Sequence, residues 1–160
     1  NVSLGEGYEC RQAKEGDIAY ITDLYQTIFK SYPFPIYDKN YIAETMQDNV
    51  IYYGIWYKNT LVGLSSIEID KKNSNAEMTD FAVLNEYRRK GLAFILLQEM
   101  EKRLKELTIK TAFTIARAKS AGMNITFAKS GYQYTGTLIN NTDIAGQIES
   151  MNVWYKKIIE

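Results

Sequence analysis

The 160-residue chain contains no histidine and a single cysteine, Cys10. Without histidine there is no Ser-His or Cys-His pair to activate a nucleophile, and one thiol forms no internal disulfide. The same shortage argues against a zinc site, so no metal is expected. Acid–base chemistry then falls to carboxylates, tyrosines and lysines. Only two prolines occur, Pro33 and Pro35, both in one stretch. Nineteen basic residues balance nineteen acidic ones. With no net field, neither nucleic acid nor an anionic membrane is an expected partner. No run approaches the ~20 apolar residues that span a bilayer, and no basic-then-apolar leader opens the chain; the expected location is cytoplasmic. What is present suffices for a core: 46% apolar and 24% charged residues, over a length that suits one domain, residues 1–160. The chain opens on Asn1 rather than Met, as the C-terminal part of a longer protein would.

The stretch from Ala76 to Ala93 organises the rest. Phe81-Ala82-Val83 reads as the end of a strand, closed by Asn85-Glu86. Ala93, Leu97, Met100, Leu104 and Leu107 then recur at three- and four-residue steps, with Gln98, Glu101, Lys102, Lys105 and Glu106 mostly on the other side. That is an amphipathic helix. Between strand and helix lie Arg88, Arg89, Lys90 and Gly91, where free backbone N–H groups and the positive end of the helix dipole favour an anion. Gly91 lets a ligand approach the backbone. The competing reading is a solvated basic turn opening a surface helix.

Residues 1–7 read as a lead-in to a strand from Tyr8 to Ala13. Asp17 is placed to N-cap a helix running to about Lys30. Ser31 to Tyr37 holds both prolines and cannot be helical throughout. A second helix is expected near Tyr41 to Gln47, then a hairpin of Val50 to Tyr57 and Thr60 to Ile69 joined at Lys58-Asn59. Past Leu107 the pattern predicts a strand from Lys110 to Ala116 and a short helix from Met123 to Ser130, closed by Gly131 as a left-handed cap. Two last strands, Tyr132 to Leu138 and Glu149 to Ile158, are separated by polar Asn140-Asn141-Thr142-Asp143 and Gly146. The order β-α-α-β-β-β-α-β-α-β-β predicts an α+β domain: a mixed, mostly antiparallel sheet with helices on both faces.

Arg88-x-x-Gly91-x-Ala93 resembles the acyl-CoA pyrophosphate loop of the GNAT superfamily of N-acetyltransferases, whose pattern is Gln/Arg-x-x-Gly-x-Gly/Ala. The element order resembles that family over nearly the whole chain. The resemblance implies an acyltransferase with acetyl-CoA as co-substrate, bound along Phe81, Ala82, Val83, Arg88, Arg89, Lys90, Gly91, Leu92 and Ala93. It implies that the strands before Arg88 and Arg117 form an adjacent parallel pair splayed around the cofactor. Asn124 to Tyr132 is similar to a second family region in compressed form, which assigns Asn124 and Phe127 to the cofactor. Where the family often carries a tyrosine acid for the departing thiolate, this chain has Phe127; Tyr132 or Tyr134 remain as donors. The family covers its acceptor with the helix–loop–helix region, making Tyr32, Phe34 and Tyr37 candidate wall residues, against the alternative that they pack the loop onto the core. Ala116 to Asn124, Asn140 to Thr142 and Glu149 to Lys156 further resemble the β-lysine N-acetyltransferases, which make the compatible solute N6-acetyl-β-lysine. Known members of that group carry an additional N-terminal portion.

Acetyl transfer to an amine requires a neutral amine, a held oxyanion and a leaving thiolate. A lysine-like amine with pKa about 10.4 is neutral in roughly one molecule in a few thousand at pH 7, so a base is needed. Glu77 stands fourteen positions before Gly91, the spacing at which the family's histone-type members carry their base. Asp80 is the rival, three positions on and on the opposite face of a regular strand, unless a bulge intervenes. Unpaired N–H groups at Ala82-Val83 would hold the oxyanion. For a diamine acid, Arg117 is the candidate for the carboxylate and Glu149 for the non-reacting ammonium, with a surface ion pair as the alternative for each. Three functions stay open from the residues: transfer to a small-molecule amine, transfer to a protein amine, and acyl-CoA binding without turnover. Monomer and homodimer are not distinguished.

Overall fold

The computed structural model describes residues 3–159; Asn1 and Val2 of the lead-in, and Glu160, lie outside the described residues. The strands are β1 (Tyr8–Gln12), β2 (Val50–Tyr57), β3 (Thr60–Asp70), β4 (Asn75–Val83), β5 (Thr111–Arg117), β6 (Gln133–Ile144) and β7 (Gln147–Lys157). The helices are α1 (Ile18–Ile28), α2 (Lys39–Asp48), α3 (Leu92–Glu106) and α4 (Ala121–Lys129). One sheet runs β1-β2-β3-β4-β5-β7-β6, and among the described residues β4/β5 is its single parallel pair.

Two cores, one on each face, account for this architecture. Ile21, Leu24 and Tyr25 of α1 and Ile42 of α2 pack with Tyr52, Trp56, Leu64 and Ala82 on one side. Leu92, Ile95, Leu96, Leu97, Met100 and Leu104 of α3 pack with Ile67, Met78, Ala112 and Phe127 on the other. Each fully buried Leu, Ile, Met or Phe side chain among them contributes about 1.5–3 kcal/mol. The α3 stripe therefore holds the helix on the sheet far more strongly than its intrinsic propensity would, and this fixes where its N-terminus points.

Local signals read from the sequence were obeyed unevenly. Gly131 adopts the left-handed conformation expected of it, φ 82°; Asp38, not singled out in the sequence, caps α2 by accepting from the N–H groups of Asn40 and Tyr41. Asp17 does precede α1, but its carboxylate turns back to Arg11 and the Lys14 N–H and caps nothing in the helix. The polar stretch Asn140 to Asp143 is a correction: it continues β6 to Ile144, past an irregularity between Leu138 and Thr142. The hairpin closes on Ala145 and Gly146, both left-handed at φ 55° and 81°. A two-residue turn of that hand matches strand twist and forces the flanking residues into register. On an edge strand open to water, polar side chains cost nothing.

Candidate active site

Pairing between β4 and β5 stops at Glu77 and Phe113. Beyond that point β5 pairs with β7 and β4 with β3, and a gap opens between them. The Leu84 N–H bonds Val62 O, so strand alternation turns the N–H and C=O of Val83 away from β3 and into the gap. Arg88 Nε donates to that carbonyl at 3.2 Å; the N–H stays available.

The gap is part of a cavity of about 890 Å³. Its middle is walled by Phe81, Val83, Thr114, Ile115, Ala116 and Phe127, and one end by Arg88, Arg89, Gly91, Leu92, Ala93 and Phe94. At the other end stand Phe29, Lys30, Tyr32, Ile144, Ala145 and Arg117. Gly91 occupies the N-cap of α3 at φ 76° and Arg89 is left-handed at φ 63°. The first turn is closed by the Ile95 N–H on Gly91 O. The N–H groups of Leu92, Ala93 and Phe94 thus have no partner inside the helix and lie at its positive end, in the cavity wall. Lys90 and Ala82 are outside that wall. Lys90 is exposed, with Nζ 6.0 Å from the Tyr87 ring, and the Ala82 side chain is buried in the α1/α2 core.

The two carboxylates of β4 share a face. In the ladder with β3, Thr79 opposes Ser66 and Ala82 opposes Leu64, so Asp80 and Phe81 together stand against Ser65. This bulge, with Asp80 at φ 56°, brings Asp80 onto the side that Glu77 occupies, which a regular strand would not do. Asp80 is held by hydroxyls: Tyr32 donates to Oδ1, Ser66 Oγ to Oδ2 at 2.6 Å, and Thr79 Oγ1 to Oδ1 at 3.2 Å. Burial pushes its carboxyl up while those donors pull it back. Burial also pushes Glu77 up, to about 7, helped by the charges of Asp80 and then Glu68. Tyr32 is driven well above the usual phenol range by burial and by Asp80. Asp80 and Tyr32 line the cavity; Glu77 sits one step behind, at the last paired position.

Other expected site residues are placed elsewhere. Tyr132 is buried beyond the wall, edge-on to Phe127, which is itself edge-on to Phe81. Burial and the neighbouring Glu101 drive its hydroxyl far above the usual phenol range. Tyr134 is exposed on β6 and bonds Thr137. The Asn124 amide is spent inside the fold: Nδ2 donates to Arg117 O and Ser120 O, and Oδ1 accepts from Asn152 and Trp154. It fastens α4 to β7, with no capacity left for a ligand. Phe34 is 60% exposed and outside the wall, and Tyr37 donates to Phe29 O. Arg117 and Glu149 are not separate groups but one bidentate pair, at 2.8 and 2.7 Å. The Glu149 side chain has no exposed surface, and Arg117 pulls its carboxyl down to about 2. With Nε and Nη2 committed to Glu149, only the remaining edge of the Arg117 guanidinium is available to the cavity.

Two features were missed from sequence. Ser66, fully buried, was signalled by the pair Ser65-Ser66 between Leu64 and Ile67 of β3. A contact across 115 positions was not signalled at all. The β6–β7 turn meets the α1–α2 loop, with the Gly146 N–H on Ser31 Oγ at 2.7 Å and the Ala145 N–H on Ser31 O at 3.3 Å. It bridges the Tyr32 side of the cavity.

Residues 18–132 match the family model described as Acetyltransferase (GNAT) family. The chain is 49% identical over 156 residues to the beta-lysine N(6)-acetyltransferase of Methanococcus maripaludis, covering 98% of this chain and 57% of that protein. It is 39% identical to the beta-lysine N(6)-acetyltransferase of Methanosarcina mazei, over 97% of this chain and 57% of that one. The chain thus spans little more than half the length of these relatives. Its fold matches the crystal structure of the ribosomal-protein-S18-alanine N-acetyltransferase from Escherichia coli at a TM-score of 0.81 and 14% identity, covering 96% and 95% of the two chains.

Proposed function

The chain belongs to the acetyltransferase (GNAT) family, and on that premise we propose that it transfers the acetyl group of acetyl-CoA to the N6 amine of β-lysine. The observation that carries the acetyl-CoA half is the gap between β4 and β5 with free N–H groups at the α3 N-terminus at one end. A pyrophosphate suits those N–H groups with Arg88 and Arg89 beside them, and an extended apolar arm suits the wall of Phe81, Val83 and Phe127. Acetyl-CoA supplies an activated acetyl group when bound. The Val83 N–H, aimed into the gap, is the donor for negative charge developing on the acetyl oxygen.

Glu77 is the base. An ammonium proton leaves the acceptor for Glu77, through water because Glu77 lies one step behind the wall. The neutral nitrogen forms its bond to the acetyl carbon, the carbon–sulfur bond breaks, and the second proton of that nitrogen passes through water to the released thiolate, so that amide and thiol are the products. A thiol of pKa about 8.5 departs as thiolate without a donor, so Tyr132's distance from the gap costs little.

For the acceptor, the 49%-identical relative favours β-lysine, and the bridge from Ser31 to the β6–β7 turn favours a free small amine over a polypeptide. Arg117 receives the acceptor carboxylate on the guanidinium edge that Glu149 leaves uncovered. Glu149, taken from the sequence as an ammonium site, instead holds that guanidinium in orientation. We assign the reaction to the cytoplasm and its product to compatible-solute supply; among the described residues no helix is long and apolar enough to cross a membrane. The test is thiol release from acetyl-CoA with β-lysine, α-lysine and a lysine-containing peptide. β-Lysine should have much the highest kcat/KM. Preference for the peptide would overturn the acceptor and leave the family standing.

A further inference from the structure

Two carboxylates on one face of β4, with Glu68 across the ladder from Glu77, do not ionise independently. Hydrogen bonding decides which loses its proton first. Asp80 accepts from three hydroxyls supplied by the α1–α2 loop, β3 and β4 itself, whereas no hydrogen bond contributes at Glu77. Every group acting on the pair is neutral or acidic. Tyr25 from α1, Tyr41 from α2 and Tyr52 from β2 feel Asp80, Tyr32 feels both carboxylates, and no lysine or arginine acts on either. The arrangement is built at a cost, since an aspartate at φ 56° holds a strained backbone.

We propose that Asp80 is a positioning residue: a buried anion, clamped by Tyr32, Ser66 and Thr79, whose charge makes Glu77 a strong enough base to take a proton from the acceptor ammonium. This rests on Glu77 being the base, as argued above. A free glutamate is far too weak for an ammonium of pKa about 10.4; one raised toward neutrality loses less in the transfer and is still ionised in half the molecules near pH 7. Asp80 supplies part of that rise without moving a proton itself. Because Tyr32 belongs to the α1–α2 loop and lines the cavity, seating of that loop and strength of the base are linked through one hydroxyl.

The test is a carbon-13 NMR titration of the side-chain carboxyls. In the wild-type protein Asp80 should already be ionised throughout the pH range in which Glu77 titrates. In Asp80→Asn the Glu77 midpoint should move to lower pH by about one unit, as removal of a neighbouring like charge requires, and the acid limb of kcat/KM should move with it. Asp80 holding its proton while Glu77 ionises would overturn the proposal in the wild type alone, without any variant having to fold. An Asp80→Asn variant whose Glu77 midpoint and acid limb stay in place would overturn it equally. If both titrations behave as stated while no amine is acetylated, the coupled pair stands and the proposed reaction falls.

Discussion

Replacing Glu77 by glutamine sets activity against stability. In the folded chain Glu77 is pushed from 4.5 up to about 7, so the native state holds this proton more tightly than the unfolded state. The destabilisation is absent below pH 4.5, grows between 4.5 and about 7, and is complete above 7. A shift of that size corresponds to about 3 kcal/mol, reduced to about 2 because the side chain is partly open to water. Glutamine keeps the shape and loses the charge. The variant should therefore melt about 4–8 °C higher than wild type at pH 8, at about 2–4 °C per kcal/mol for a chain of this length. Near pH 4.5 the two should melt together. Turnover should move the other way, falling by roughly 10²- to 10⁴-fold at neutral pH, with the deficit shrinking as pH approaches the amine's own pKa. Calorimetric melting across pH, beside thiol release, reads both. A gap in melting temperature that does not change with pH, or a variant less stable at pH 8, would refute the electrostatic argument.

Gly91→Val should remove acetyl-CoA binding in calorimetry, because it blocks the backbone approach and asks a β-branched residue to adopt φ 76°; a modest stability loss of about 1–2 kcal/mol accompanies it, and unchanged affinity would displace the pyrophosphate from this turn. Arg117→Lys retains a cation for buried Glu149 but loses the planar fork, so KM for β-lysine should rise well above any change for a carboxylate-free diamine; equal changes would remove Arg117 from the acceptor site. The same pair contributes stability that is full above the ordinary 4.5 of a glutamate and is lost as pH falls toward about 2, so Glu149→Gln should lower the melting temperature at pH 7 and converge on wild type in acid. Asn124→Ala leaves the Asn152 amide and the Trp154 indole N–H without their acceptor, while Arg117 O and Ser120 O keep backbone N–H partners, and should cost about 1–3 kcal/mol in denaturant unfolding.

The fold was legible where periodicity and punctuation act locally. The stripe from Ala93 to Leu104, the Lys58-Asn59 turn and the glycines at 91 and 131 all mark elements that packing then preserved. The end of β6 was not legible, because polar residues on an exposed edge strand resemble a loop, and the Ala145-Gly146 turn that sets the register lacks the usual asparagine. In the candidate site, Gly91 marked the left-handed turn that opens α3, because that geometry resides in consecutive backbone groups. The carboxylate pair was half legible: both residues could be named, but the bulge that puts them on one face arises from ladder pairing with β3. The internal partners of Asn124 and Glu149 were not legible. A motif gives residue type and position, whereas the use of a polar side chain depends on partners 28 to 32 residues away.

Acetyl transfer to one nitrogen of one diamine is tested most directly by identifying the product. Incubation of the chain with acetyl-CoA and β-lysine, followed by carbon–proton correlation NMR, should give a single acetylated species with the acetyl group on N6 and one thiol released per product. Acetylation at the other amine, or acetyl-CoA binding with no product, would rule out N6 transfer by this chain.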